Sequence, residues 1–371
     1  MPASCPQPAQ EADDLRAAPV RSSWRALPAG EGHGTLDQLA VSGDGTLWAL
    51  RSVQRETAAG METTSGGLLR WDGTRRRTYA LPPGARPVAI GALSAGRAWV
   101  FGAQGDHPGL VTTVADGTVT DRSLLLAGAP SIGLHGTAAR GPWAVSGRTA
   151  LRWDGAAWHE YHLPAPAQAI GGQDTKTPES DTGETAGTGR TGDTSGTSGT
   201  VGTVWTVGAG GAAARWTGTA WQAVAVPRPG TPRGAESPRT LLADVAVLGP
   251  EDVWVVGGVS WLARGAYDDQ GEPLERLRPV ALHWDGHAWR CRWGPPGVTF
   301  TQAEPDGHGG MWTLDSTRSR LHHYAAGRWT STKIPGTITA LAHRPGTTEV
   351  YAAGWTGRDG ALTTPALWMT R

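Results

Sequence analysis

The chain has 371 residues, with 33 Lys and Arg against 33 Asp and Glu, and 54 Gly, 27 Pro and 19 Trp beside only two Phe and five Tyr. Balanced charge provides no global positive field, so no nucleic-acid partner is expected. No stretch has the apolar length of a spanning helix, so no transmembrane segment is expected. The Gly, Pro and Trp content fits short strands joined by tight turns.

Residues 1–22 read as a disordered tail ahead of a single domain over residues 23–371. Within the tail, Ala3-Ser4-Cys5 matches the end of a bacterial lipobox. With a start codon upstream, Cys5 would carry a lipid anchor and the chain would be a secreted or cell-envelope lipoprotein; as written it reads as soluble. Two cysteines are too few for a disulfide framework, and Cys291, alternating with Trp289 and Trp293, is expected to be a buried free thiol.

Further along, one pattern recurs. Residues 241–293 give the template: strand a over 242–247, strand b over 253–256, strand c over 280–284 and strand d over 289–293, with turn residues between them. The same order restarts near Leu36, Val88, Ser131, Gln168, Thr299 and Thr337, and each strand b carries an aromatic: Trp48, Trp99, Trp143, Trp205, Trp254, Trp312 and Tyr351. The expected fold is therefore all-β, a seven-bladed β-propeller of four-stranded antiparallel blades. The last copy ends after its strand c at residues 366–369, leaving an open edge. Residues 23–28 resemble a strand d, so an N-terminal strand pairing with the C-terminal blade is expected to close the ring.

The c-to-d hairpins carry a Trp-Asp-Gly-x-x-Trp box. It is complete at 153–158 and 284–289, keeps its spacing at 216–221, shifts its glycine at 324–329, and is degenerate from Trp71 to Arg76. A gap of five places the two aromatics opposite one another across the hairpin. Core packing accounts for these aromatics without any ligand. Two insertions interrupt the pattern. Residues 172–202, rich in Thr, Gly and Ser, read as a disordered loop. Residues 257–279 read as a long b-to-c loop with Trp261, Arg264, Tyr267, Asp268, Asp269 and Glu272.

No catalytic, metal or nucleotide motif survives inspection, so no catalytic residue, metal or cofactor is expected. His159 and His162 fall on opposite faces of a strand, and His283 and His323 read as polar outward positions before the box aromatic. Asp268, Asp269 and Glu272 could form a carboxylate cluster for acid/base work or calcium, although a solvated charged loop is the better explanation of them. Strand order gathers the b-to-c and d-to-a connections at one end of the ring. That end would carry Trp261, Arg264, Tyr267, Asp268 and Asp269, with His107, Trp355, Arg358 and Asp359, as candidate ligand-binding residues for a glycan or protein partner.

The sequence 202–207, followed by Arg215-Trp216-Thr217-Gly218-Thr219-Ala220-Trp221 and Pro227, resembles the tryptophan-rich repeats of bacterial β-propellers, including tectonin-type lectins. The resemblance spans nearly all of residues 23–371. It implies glycan recognition, but through scaffold motifs, so no site residue transfers. The function expected is a non-catalytic binding module for a carbohydrate or protein partner. The alternatives are a lyase or hydrolase working at the ring's mouth, and an assembly scaffold.

Overall fold

The computed structural model describes residues 4–5, 17–20, 23–58, 60–104, 107–115, 117–121, 133–135, 142–154, 156–173, 203–232, 234–357 and 361–370. Among these, the strands form seven sheets of three to five strands and one separate two-stranded pair. In chain order the sheets, numbered here as blades 1 to 7, occupy residues 34–79, 85–121, 133–167, 169–223, 235–293, 300–333 and 337–370. The first strand of each blade lies against the first strand of the next, from Gly34–Val41 through to Thr337–His343. The last of these lies back against Gly34–Val41, so the blades form a closed ring. Blade 3 departs from the expected four strands: Trp143–Trp153 runs through the b and c positions as one strand, turning at Gly147.

The strand-b aromatics are what the blades close around. Trp48, Trp99, Trp143, Trp205, Trp254, Trp312 and Tyr351 are each no more than 7% exposed. The box aromatics face one another across their hairpins, with Trp153 opposite Trp158, Trp216 opposite Trp221, Trp284 opposite Trp289 and Tyr324 opposite Trp329. Asp154 and Asp285 each accept two backbone N–H groups at their turns, and Gly286, at φ +86°, takes the left-handed conformation that glycine adopts most readily. In the degenerate copy, Arg76 lies over the Trp71 ring.

These pairs also join blades. Trp153 and Trp158 of blade 3 pack on Trp99 of blade 2, Trp216 and Trp221 of blade 4 on Trp143 of blade 3, and Tyr324 of blade 6 on Trp254 of blade 5. Each aromatic pair is thus shared across an inter-blade seam, where edge-on ring contacts are favourable.

The N-terminal strand closes the ring as expected. Trp24–Leu27 pairs antiparallel with Thr364–Thr370, with Trp24 opposite Thr370 and Leu27 opposite Leu367. Trp24 thereby supplies blade 7 with a strand-d tryptophan, and its ring meets Trp312 of blade 6 edge-on at 5.2 Å. At the adjoining seam with blade 1, Gly34 N–H donates to the Thr363 carbonyl at 2.9 Å and Thr363 Oγ1 donates to the Gly34 carbonyl at 2.8 Å.

Two expectations about the N-terminus are corrected. Cys291 is not a free thiol, because it is disulfide-bonded to Cys5, with the Cα atoms 5.5 Å apart. The Cys5 sulfur that a lipid anchor would require is therefore taken. The tail is also held at two places: Ser4–Cys5 pairs with Arg228 and Pro229, and Ala18–Pro19 pairs with Thr330 and Ser331. No helix is long and apolar enough to cross a membrane among the described residues. The Thr/Gly/Ser insertion falls outside the described residues from 174 to 202.

Candidate functional site

Antiparallel order within each blade sends the b-to-c turns and d-to-a connections to one end of the ring. At that end the b and c strands of blades 1 and 5 run past strand d: in blade 1 Leu47–Thr57 and Gly60–Trp71 pair out to Thr57 opposite Gly60 while Arg76–Tyr79 reaches only Leu68, and in blade 5 residues 257–279 are not the loop expected. Asp252–Tyr267 and Pro273–Trp284 are continuous strands, paired from Val253 opposite Trp284 out to Tyr267 opposite Pro273. The first strand of the blade, Ala235–Gly249, extends with them, pairing Ala235 with Ala263 and Leu242 with Gly257. The fourth strand, Trp289–Trp293, reaches only as far as Val280. A three-stranded sheet made of residues 235–242, 257–267 and 273–279 therefore projects beyond the blade. Gly271, at φ +81°, sits in the turn that joins the two long strands into a hairpin.

Strand alternation divides this projection into two faces. Val259 is fully buried and Trp261 packs with it against the core shared with Trp205, Val207 and Val226. Trp261 is thus mainly a packing residue. The opposite face carries Ser260, Leu262 and Arg264, with Glu275 and Leu277 across from Leu262 and Ser260, and Glu236 and Arg239 on the other flank. Arg264 lies 3.8 Å from Glu236 in an exposed pair, which contributes little to stability. At the tip, Tyr267 is 64% exposed. Asp268 caps the turn, accepting the N–H groups of Gln270 and Glu272, both at 2.9 Å. Its carboxylate holds the hairpin rather than joining Asp269 and Glu272 in a cation site, and no metal-binding group of three ligands occurs among the described residues.

The edges of the projection carry prolines: Pro238 on one side, Pro273 and Pro279 on the other. Proline cannot donate to a strand ladder, so these edges resist pairing with another chain and leave the face as the surface available for contact.

The remaining candidates lie elsewhere. Trp355 is half-buried in Val350–Thr356 of blade 7, opposite Pro365 and Thr337, and blade 6 separates it from the projection. Arg358 and Asp359 fall outside the described residues, and of His107 only the backbone is described, within His107–Ala115. At the same end, an open groove of about 840 Å³ runs between blades 1 and 2, lined by residues that include Thr64, Ser65, Thr78, Pro82, Pro83 and Arg86. Hydroxyls, prolines and one guanidinium suit binding rather than proton transfer. Sequence reading missed this groove because its lining is Gly, Ala and Pro that resemble ordinary turn residues.

Titratable side chains inside the ring are engaged structurally. Asp244, on the inner strand of blade 5, accepts the Ala303 N–H of blade 6 at 2.9 Å. Burial pushes its carboxyl up to about 6 against the lowering effect of that bond. Glu304 is raised well above its ordinary value by burial and by the charge of Asp244, although it accepts the His343 N–H of blade 7. Gln302 likewise bridges blades 6 and 7, donating to Thr339 and accepting from Leu341. These groups join neighbouring inner strands, so their raised values reflect tight seams.

His283 and His323 are corrected from outward polar positions to packed ones. Each ring lies flat on its strand-b tryptophan, 4.1 Å from Trp254 and 4.2 Å from Trp312, and each is tied to an aspartate, Asp252 at 2.8 Å and Asp306 at 2.7 Å. His322 points the other way and meets Asp315 at 3.1 Å within the sheet interior. His159 pairs with Asp154 at 2.6 Å on an exposed hairpin.

No protein-family model matches the chain, and no curated protein matches it in sequence. Among solved structures, a catalytically inactive variant of virginiamycin B lyase from Staphylococcus aureus, with quinupristin, is similar with a TM-score of 0.55 and 11% identity, over 94% of this chain and 99% of that one. YCF48 bound to D1 peptide is similar with a TM-score of 0.53 and 12% identity, over 96% of this chain and 99% of that one. Both are ring-shaped propeller proteins. The chain is a β-propeller. BBS1N, in complex with ARL6DN, shares this propeller fold with a TM-score of 0.50 and 13% identity, over 95% and 98% of the two chains. Identity this low speaks to fold alone, and the tectonin-like affiliation gains no support from these neighbours.

Proposed function

We propose that this propeller is a non-catalytic binding module that docks a protein partner on the outward face of the blade 5 projection. The observation that carries the reading is the projection itself, residues 235–242, 257–267 and 273–279. It extends past the strands that complete the blade and presents Leu262 and Leu277 among Arg239, Arg264, Glu236 and Glu275. An aliphatic centre with a mixed-charge margin is the make-up of a protein-docking patch. A glycan would call for a broad aromatic platform, whereas the projection exposes a single ring at its tip, Tyr267. Trp261, the residue best suited to stack on a sugar, packs inward instead, so the protein reading is preferred to the glycan one. Support also comes from the company the fold keeps, since similar propellers have been solved with a bound peptide and with a protein partner.

The test compares affinity capture by the wild-type chain, by a Leu262→Ser/Arg264→Glu variant, and by Arg344→Ala at the opposite end of the ring, each with unchanged circular dichroism. A partner retained by the wild type and by Arg344→Ala, but lost by the blade 5 variant, is expected. Equal capture by all three contradicts docking on blade 5. Glycan-array binding that disappears on Tyr267→Ala replaces the protein reading with the glycan one.

A further inference from the structure

In blade 1, residues 60–65 of strand c lie beyond the end of strand d, Arg76–Tyr79, which stops opposite Leu68. They are paired with strand b on one side, and no strand among the described residues lies along the other. The register decides which backbone groups face that open side. Thr57 and Gly60 close the hairpin across a two-residue connection as a hydrogen-bonded pair, so the ladder alternates from there. Thr63 and Gln54 form a pair whose backbone groups point away from each other. Gln54 shows this, since its N–H donates to the His33 carbonyl on the side away from strand c, at 3.3 Å. Met61, Thr63 and Ser65 therefore turn their backbone groups to the open side.

The opposite flank is closed. Gly34–Val41 pairs with strand b as far as Val53, and the N–H and hydroxyl of Thr363 donate to Gln54 Oε1 at 3.0 and 2.8 Å. Strand c has no such cover among the described residues, and its edge is also undefended in sequence. Prolines at 273 and 279 interrupt the outer edge of the blade 5 projection, whereas residues 60–65 are Gly-Met-Glu-Thr-Thr-Ser, without proline or lysine. The groove of about 840 Å³ opens at this edge, lined by Thr64 and Ser65 and, from the connection into blade 2, by Pro82, Pro83 and Arg86. With that connection on its far side, the groove admits one extended chain rather than the stacked strands of a second ring. Arg86 is the one charged residue in the lining among the described residues, so an acidic side chain complements it.

We propose that residues 60–65 of blade 1 are a peptide-docking edge, onto which an extended, acidic segment of a partner polypeptide adds as a strand in line with Arg76–Tyr79. The backbone ladder at Met61, Thr63 and Ser65 supplies affinity, while the groove's hydroxyls and Arg86 select side chains. This edge is independent of the blade 5 surface.

A displayed library of random linear peptides, selected on the full-length chain, tests the proposal. Thr63→Pro removes the outward N–H and leaves the bonds to strand b, whereas Thr63→Val keeps that N–H. Acidic sequences are expected to enrich, with affinity lowered about tenfold or more by Thr63→Pro and a few-fold by Arg86→Ala. Thr63→Val and the blade 5 variant Leu262→Ser/Arg264→Glu are expected to bind as the wild type does. Equal binding by Thr63→Pro, loss of binding in the blade 5 variant, or no enrichment overturns the proposal. So does self-association that Thr63→Pro abolishes, which would give the edge to a second copy. Should Thr63→Pro fail to fold, N-methylation of successive amides in the selected peptide decides on the wild-type chain: binding is expected to fall at every second position, and the absence of that alternation overturns the docking. In the free chain, hydrogen exchange at Met61, Thr63 and Ser65 is expected to outpace that at Glu62 and Thr64. Equal protection of all five would mean that the edge is already covered, and would also overturn it.

Discussion

At the scale of single residues, the inner carboxylates give the propeller a definite pH response. The carboxyl of Asp244 is raised to about 6 from an ordinary 3.8, and that of Glu304 is raised as well. The folded chain therefore holds more protons than the unfolded chain from about pH 4 upward. Stability from these groups is fully present below the unfolded value and is lost as pH rises through the folded one. Each tenfold gain in proton affinity on folding corresponds to about 1.4 kcal/mol, so at neutral pH these raised carboxyls cost the native state stability. Glu304→Gln keeps an oxygen for the His343 N–H and removes the charge that burdens Asp244. Urea melts from pH 4 to 8 are expected to show this variant more stable at pH 7 and with a flatter pH profile. An unaltered profile would remove the two carboxylates as its source. Trp254 illustrates the other residue-scale role: with His283 flat against it and Tyr324 beside it, Trp254→Ala is expected to cost roughly 3–5 kcal/mol in the same assay.

At the scale of elements, the clasp strand is the sharpest case. Trp24–Leu27 provides the fourth strand of blade 7, and Trp24 seals its seam with blade 6. Trp24→Ala is expected to lower stability by roughly 3–5 kcal/mol and to accelerate hydrogen exchange across 364–370. Loss of stability without faster exchange there would mean the strand stays docked without its tryptophan. This strand was legible in the sequence because its Trp-to-Pro spacing approximates that of the other strands d and because the last repeat lacks one. The box hairpins were legible for a similar reason, a gap of five with a turn-forming Asp-Gly between aromatics. The pairings of Ser4–Cys5 and Ala18–Pro19 were not, because two paired residues leave no periodic trace in the sequence. Nor was the disulfide: Cys5 and Cys291 are 286 residues apart, and spacing carries no information about proximity at that distance. The blade 5 projection lay between these extremes. Its register showed at Val253–Val256 and Val280–Trp284, but Pro238 obscured the first strand's extension and the length of the insertion between them favoured a loop.

At the scale of the whole molecule, the sequence specifies a ring largely through one repeated device, an aromatic pair on the c-to-d hairpins of blades 3 to 6 that packs onto the strand-b aromatic of the preceding blade. This accounts for most of the tryptophans and explains why they are poor guides to a binding site. Trp261, the most attractive candidate from sequence, belongs to the packing, whereas Leu262 and Leu277, which attract no notice in a motif search, lie half-buried on the opposite face of the projection. The sequence thus marked residues 257–279 as distinctive without revealing which of its side chains pack inward. Two blades, 1 and 5, send paired strands beyond their strand d at one end, and the blade 5 projection is three-stranded. Site-specific photo-crosslinking measures its role most directly: a photoreactive residue is placed at Tyr267 on the projection or at Arg344 on the opposite end, in otherwise identical full-length chains exposed to native extract. A discrete adduct from position 267 and none from position 344 is expected; adducts from 344 alone, or the same adducts from both, would contradict docking through blade 5.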